Sequence, residues 1–195
     1  MGIYLVDIGT ADWFGSHEGG WAETATALDA ELLRRGLPPY RPAPSAPGVG
    51  PRTGTDFEEK MSPPVEGFAR LCEAHLSPAE TEALHNWTVL VPAPLEAPVT
   101  LPIGCAFDDE TVIAGAPASL AAAERLAAAI GLPPETPTAS SNLQLTFWFL
   151  DGPAAALAGT RPGPWSEDLS AAFYTAVHLR AAQYVLRTGR PITYC

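Results

Sequence analysis

An α+β fold, built from one core, is predicted for this chain by three features of its sequence. Several long segments carry apolar residues at helical spacing and end at capping or stop residues. A separate group of short apolar runs clusters between residues 88 and 116, and two of those runs are joined by a tight acidic turn that makes them an antiparallel pair. A chain of 195 residues that is 47% hydrophobic can bury one sizeable core, and its length favours one globular domain over 1–195. The expected architecture is a small, mainly antiparallel sheet of about four strands packed with five or six helices.

Residues 2–9, GIYLVDIG, read as the first strand. Residues 21–36 follow as a helix whose Trp21, Ala25, Leu28 and Leu32 share one face, closed by Gly36 and the pair Pro38-Pro39. Six prolines between Pro38 and Pro51 exclude regular helix and central strand, so 38–55 is expected to be a long loop, either a lid or a disordered connector. A helix over 64–76 places Val65, Phe68, Ala69, Cys72 and Leu76 on one side, which makes Cys72 a core residue. Ser77, Pro78 and Glu80 then form a capping box with proline at the first helical position, so a new helix begins there.

Strands are expected at 88–94, 99–107 and 111–116, the last two joined by Asp108-Asp109-Glu110. Residues 117–131 form a helix through Leu120, Ala123, Leu126, Ala127 and Ile130, ended by Gly131 and Pro133. The stretch 142–150 alternates like a strand through Leu143, Leu145, Phe147 and Phe149, and also fits a helix through Leu143, Phe147 and Leu150; helix is preferred. The last helix spans 167–188 from Ser166 as N-cap, with Glu167 and Asp168 at the positive end of its dipole, and 192–195 ends as an edge strand.

The charge balance excludes classes of partner. With 11 basic against 22 acidic residues, a net charge of -11 repels phosphate backbones and anionic lipid headgroups, so neither nucleic acid nor a membrane surface is expected as partner. No run approaches the ~20 apolar residues a spanning helix needs, and no cationic stretch precedes the first apolar residues. Cys72, Cys105 and Cys195 are far apart and lack CxxC spacing, which excludes a disulfide framework or zinc knuckle and points to the cytoplasm. A single lysine, Lys60, against ten arginines, with abundant Ala and Pro, suggests a high-GC bacterial host.

The chain holds no GxGxxG, P-loop or GxSxG pattern, and HExxH fails because Trp21 stands at the partner position of His17; no cofactor and no metal are expected. The glycine-flanked pair His17 and Glu18 in GSHEGG either acts as base or ligand, with Asp7 or Asp12 nearby, or only turns the chain into its first helix. On the last helix, His178 falls away from Arg180, Gln183 and Arg187, which mark the wet side, and beside Tyr174, Ala171, Ala182 and Val185. Its buried imidazole should be neutral, serving as base or ligand or bonded to a carbonyl. Tyr174, one turn earlier, could offer its hydroxyl to the same pocket. Asp108, Asp109 and Glu110 suit a hard cation or a solvated turn. Trp13 and Trp165, in loop-like contexts, either line a binding groove under the proline-rich segment or pin their loops to the core. His75 and His85 sit at helix ends, where a cationic ring offsets the dipole.

Two functions fit these features. The first is a non-catalytic acidic binding protein, immunity- or antitoxin-like, that docks a basic protein partner, as the charge and the missing catalytic motifs suggest. The second is a small-molecule enzyme, a hydrolase or a secondary-metabolite tailoring enzyme, whose pocket joins His17, Glu18, Tyr174 and His178 under the proline-rich loop.

Overall fold

The computed structural model describes residues 2–15, 21–41, 57–104, 108–138 and 143–195. Among these residues the strands are β1 (Ile3–Asp7), β2 (Glu58–Met61), β3 (Val89–Val91), β4 (Val99–Leu101), β5 (Thr111–Gly115) and β6 (Ile192–Tyr194). The helices are α1 (Thr10–Phe14), α2 (Ala22–Arg34), α3 (Glu66–His75), α4 (Pro78–His85), α5 (Ala116–Ile130), α6 (Gln144–Leu150), α7 (Pro153–Thr160), α8 (Pro164–Glu167) and α9 (Leu169–Thr188). The mixed α+β architecture is the expected one, but the described residues hold six strands rather than about four and nine helices rather than five or six. The extra elements have physical reasons for escaping a periodicity search: β2 is EEKM, with no apolar run, α1 and α8 span only five and four residues, and α7, PAAALAGT, has no apolar stripe set against a polar face.

The sheet runs in the spatial order β2-β1-β6-β3-β5-β4. Four of its ladders are antiparallel, and β3 pairs with β5 in parallel. The parallel pair arises because the chain leaves β3, crosses to the outer edge as β4, and returns as β5 between the two. Gly115, at the end of β5, lies so near the segment after β3 that a Cβ there would sit 2.5 Å from the Ala93 carbonyl oxygen and 2.8 Å from the Leu95 nitrogen. The terminal strand corrects the expectation of an edge: β6 is internal, bonded to β1 on one side and β3 on the other, with Ile192 and Thr193 buried.

Strand alternation divides the core in two. Val89, Val91, Ile113, Val99 and Leu101 point to one face, where Ala25, Leu28 and Leu32 of α2 and Trp13 of α1 cover them. Each fully buried leucine there contributes about 1.5–3 kcal/mol. Leu5, Leu90, Ala114 and Ile192 point to the other face, packed under α9 and α5. Alanines on both helices, such as Ala122, Ala123, Ala172, Ala176 and Ala182, are buried and let the two backbones approach closely. No helix of the described residues is long and apolar enough to cross a membrane.

Helix α9 starts from Asp168, not Ser166: the Asp168 carboxylate accepts the Ala171 N–H at 2.9 Å, while the Ser166 hydroxyl is bound to Gly163 within α8. The side of α9 expected to be wet is partly covered. Arg180 is half-buried and donates to the Pro137 carbonyl at 2.9 Å and to Gln183 at 2.7 Å. The ambiguous stretch is helical over α6, and the cause is remote in sequence. The wholly buried Glu59 carboxylate of β2 accepts the backbone N–H groups of Leu145 and Thr146 at 2.8 and 2.7 Å and the Thr146 hydroxyl at 2.6 Å. These donors form the unpaired start of a helix, which a carboxylate stabilises.

Candidate functional site

The α9 side of the sheet carries a cavity of about 410 Å³, lined by Ile3, Met61, Val65, Phe68, His85, Thr88, Tyr174, His178 and Tyr194. Sheet register and helix phase assemble it. Ile3 pairs with Met61, and Leu5, two residues on, pairs with Tyr194, so Ile3, Met61 and Tyr194 share the face under α9. The capping box at Ser77, with Glu80 accepting the Ser77 N–H at 2.8 Å, fixes the start of α4 and thereby the position of His85 at its end. Tyr174 and His178 stand one helical turn apart on α9.

His178 is 2% exposed, and its Nδ1 is buried with no hydrogen-bond partner. Its ring stacks on Phe68 at 5.3 Å between centroids with planes 13° apart, meets the edge of Trp87 at 6.0 Å, and lies 6.4 Å from the His85 ring. Two polar groups near it are already bonded: the Trp87 indole donates to the Leu84 carbonyl at 2.8 Å, and the Tyr174 hydroxyl donates to the Pro63 carbonyl at 2.8 Å. Burial pulls the His178 pKa down to about 3, and neighbouring His85 adds to the shift. Burial also lowers His85, its own backbone opposing, and raises Tyr174 and Tyr194. All four rings are therefore neutral at neutral pH.

The chemistry of this arrangement is that of neutral hydrogen bonding. A base as weak as His178 is far from the pKa near 7 that suits proton abstraction at neutral pH. As a neutral ring it can hold a polar group without bringing charge into an apolar cavity. An unpartnered buried nitrogen costs about 1–3 kcal/mol, so a cavity that retains one carries a cost that the apo fold does not recover.

Of the residues the sequence singles out, the structure brings Tyr174 and His178 together. His17 and Glu18 lie outside the described residues, as do Cys105 and positions 42–55 of the proline-rich loop. Asp7 belongs to a different cluster. Its carboxylate accepts the Phe57 N–H at 3.1 Å and the Tyr184 hydroxyl at 3.2 Å and pairs with Arg190 at 3.1 Å. Trp13 and Trp165 do not share a groove. Trp13 is 1% exposed in the α2-side core, against Trp21 and Tyr40, whereas Trp165 packs on the α9 side beside Trp148. Trp165 does line a second cavity of about 320 Å³, with Arg70, His75 and Asp168. Asp108, Asp109 and Glu110 are exposed before β5, and the Asp108 carboxylate accepts the Asp109 N–H at 2.9 Å. Among the described residues no three of His, Cys, Asp and Glu converge as metal ligands.

His85, Tyr194 and Phe68 complete the site and are not marked as such by the sequence. Phe68 has the spacing of a core residue and Tyr194 that of a strand residue, while His85 reads as a helix-end cation. Instead, His85 is held neutral against the edge of Phe68, at 5.6 Å. Compared with models of protein families, with curated proteins and with solved structures, the chain matches none.

Proposed function

We propose that this protein binds a small organic molecule in the cavity between α9, α3, α4 and the β2-β1-β6 edge of the sheet. The observation that carries this reading is His178: an imidazole 98% buried, counted from its 2% exposure, that lines an apolar cavity of about 410 Å³ with Nδ1 unbonded. Cavities of this size lined by apolar and aromatic side chains with a few polar groups are the usual form of a small-molecule site. Binding rather than acid–base turnover is favoured because burial holds every titratable ring in the lining neutral and pulls His178 down to about 3, far from the pKa near 7 that suits proton transfer.

The test compares thermal unfolding of the wild type and His178→Leu across a library of small organic compounds. A ligand at about a hundred times its Kd stabilises the fold by about 2.7 kcal/mol, which a melting curve reads directly. Compounds that raise Tm for the wild type and not for the variant support the reading. A library in which every compound that binds does so equally in both proteins overturns it.

A second reading rests on the net charge of -11 and on the exposed Asp108, Asp109 and Glu110. It is a cationic protein partner docked on the acidic turn. Replacing all three by lysine should then weaken binding of that partner at low salt and flatten its salt dependence. Unchanged affinity in the triple variant would remove this reading.

A further inference from the structure

The lining of the histidine cavity restricts what can enter it. Its nine residues include no Asp, Glu, Lys or Arg, so a carboxylate or an ammonium group would lose its hydration without meeting an opposite charge. Five of the nine are rings: Phe68, His85, Tyr174, His178 and Tyr194. They are already arranged as an aromatic array, with Phe68 stacked on Tyr174 at 5.5 Å and on His178 at 5.3 Å, so a flat ring would extend a packing the walls already use. His178, a wall residue whose Nδ1 has no hydrogen-bond partner, then selects the polar group. A neutral imidazole carries one donor and one acceptor nitrogen, and a hydroxyl can meet either nitrogen because it both donates and accepts. An ether could only accept, and a hydrocarbon would leave the nitrogen unpaired.

We infer that the ligand is an uncharged aromatic molecule whose hydroxyl bonds the His178 imidazole. This rests on the small-molecule reading above and narrows it to a chemical class. His178 is the specificity-determining group, the rings supply affinity, and the absence of a counter-charge in the lining rejects ionised analogues. Phenols and aromatic alcohols belong to the class; aromatic acids and amines do not.

The experiment uses the full chain and four probes of similar size: naphthol, methylnaphthalene, naphthoate and octanol. Kd is measured by calorimetry for the wild type, His178→Leu and His178→Asn, with the NMR resonances of the His178 ring and the Trp87 indole reporting occupancy. Wild type should bind naphthol roughly tenfold to a hundredfold more tightly than methylnaphthalene, and naphthoate should leave the resonances unmoved. His178→Leu should erase the naphthol preference while still taking methylnaphthalene. His178→Asn keeps a polar atom near the place of Nδ1 and should restore part of the preference. Naphthoate or octanol binding as tightly as naphthol would overturn the aromatic-hydroxyl class and leave the cavity reading standing. If no probe binds and the Trp87 and His178 resonances stay fixed, the inference falls and so does the cavity reading.

Discussion

Two polar clusters occupy the same face of the sheet, both built on α9, and they treat buried polar atoms in opposite ways. At the C-terminal end of α9, Tyr184 and Arg190 converge on Asp7, whose two oxygens take a backbone N–H, a hydroxyl and a guanidinium, and Arg190 also donates to the Tyr184 hydroxyl at 3.1 Å. Tyr40 extends the cluster from the other side of the chain, its hydroxyl donating to the Gly189 carbonyl. About two turns earlier, His178 is as deeply buried as Asp7 and has a nitrogen with no partner. A closed network of this kind holds elements together. An open polar atom beside a cavity does not stabilise the fold, and its retention points to something that arrives from outside. Burial alone does not separate a structural polar group from a functional one; an unmet hydrogen bond on a residue of a cavity wall is the added sign here.

This contrast can be broken first at the closed cluster. Asp7→Ala should lower unfolding free energy by about 3–5 kcal/mol, because it removes the acceptor of the Phe57 N–H and of the Tyr184 hydroxyl together with the buried charge that faces Arg190. Urea denaturation measures the loss. A change under about 1 kcal/mol would mean that the network is not structural.

Acid should act on the open cluster. His178 has its folded pKa near 3 against 6.5 for the free ring, so the unfolded chain binds the proton that the folded one refuses. Its contribution to stability is complete above pH 6.5 and is lost as pH falls toward 3, about 3 kcal/mol by pH 4 at about 1.4 kcal/mol per unit. His85, lowered in the same direction, steepens the fall, and no carboxylate or ammonium lines the cavity to offset it. The difference between wild type and His178→Leu, followed by denaturation from pH 7 to pH 4, isolates the His178 part. Parallel curves would show that His178 is protonated as easily in the fold as outside it.

Smaller effects sharpen the comparison. At pH 7, His178→Leu should raise stability by about 1–2 kcal/mol, since it replaces an unpaired buried nitrogen by hydrocarbon. The gain in stability would come with the loss of hydroxyl recognition. Tyr184→Phe, within the closed cluster, should cost about 1 kcal/mol, as expected for one hydrogen bond inside a network. If the two substitutions shift stability in the same direction, the distinction between the clusters fails.

Much of the fold was legible because local chemistry decided it. The capping box at Ser77, Gly131 after α5 and the apolar stripe of α2 each act within a few residues, and each element stands where its signals place it. β2 was not legible for the converse reason: it is a polar segment made into a strand by β1. Over α6 the periodicity preferred helix but also fitted a strand, and what anchors the helix is a carboxylate 86 residues away. The N-cap of α9 moved from Ser166 to Asp168 because α8 already uses the serine. Of the cavity, the inward phase of Tyr174 and His178 could be read from the wheel of one helix. His85 and Tyr194 could not be joined to them, since nothing in the sequence relates the end of α4 to the last strand.

By itself, the sequence determined the fold class, the main helices, the inward turn of His178 and the acidic balance of the chain, because these depend on composition and on periodicity within one element. Only the tertiary structure decided that β6 lies inside the sheet, that His85 and Tyr194 meet His178 at one cavity, and that Asp7 is satisfied while His178 Nδ1 is not. The reason is that pairing register and hydrogen-bond satisfaction are properties of groups far apart in the chain, and they take their values only when packing brings those groups into contact.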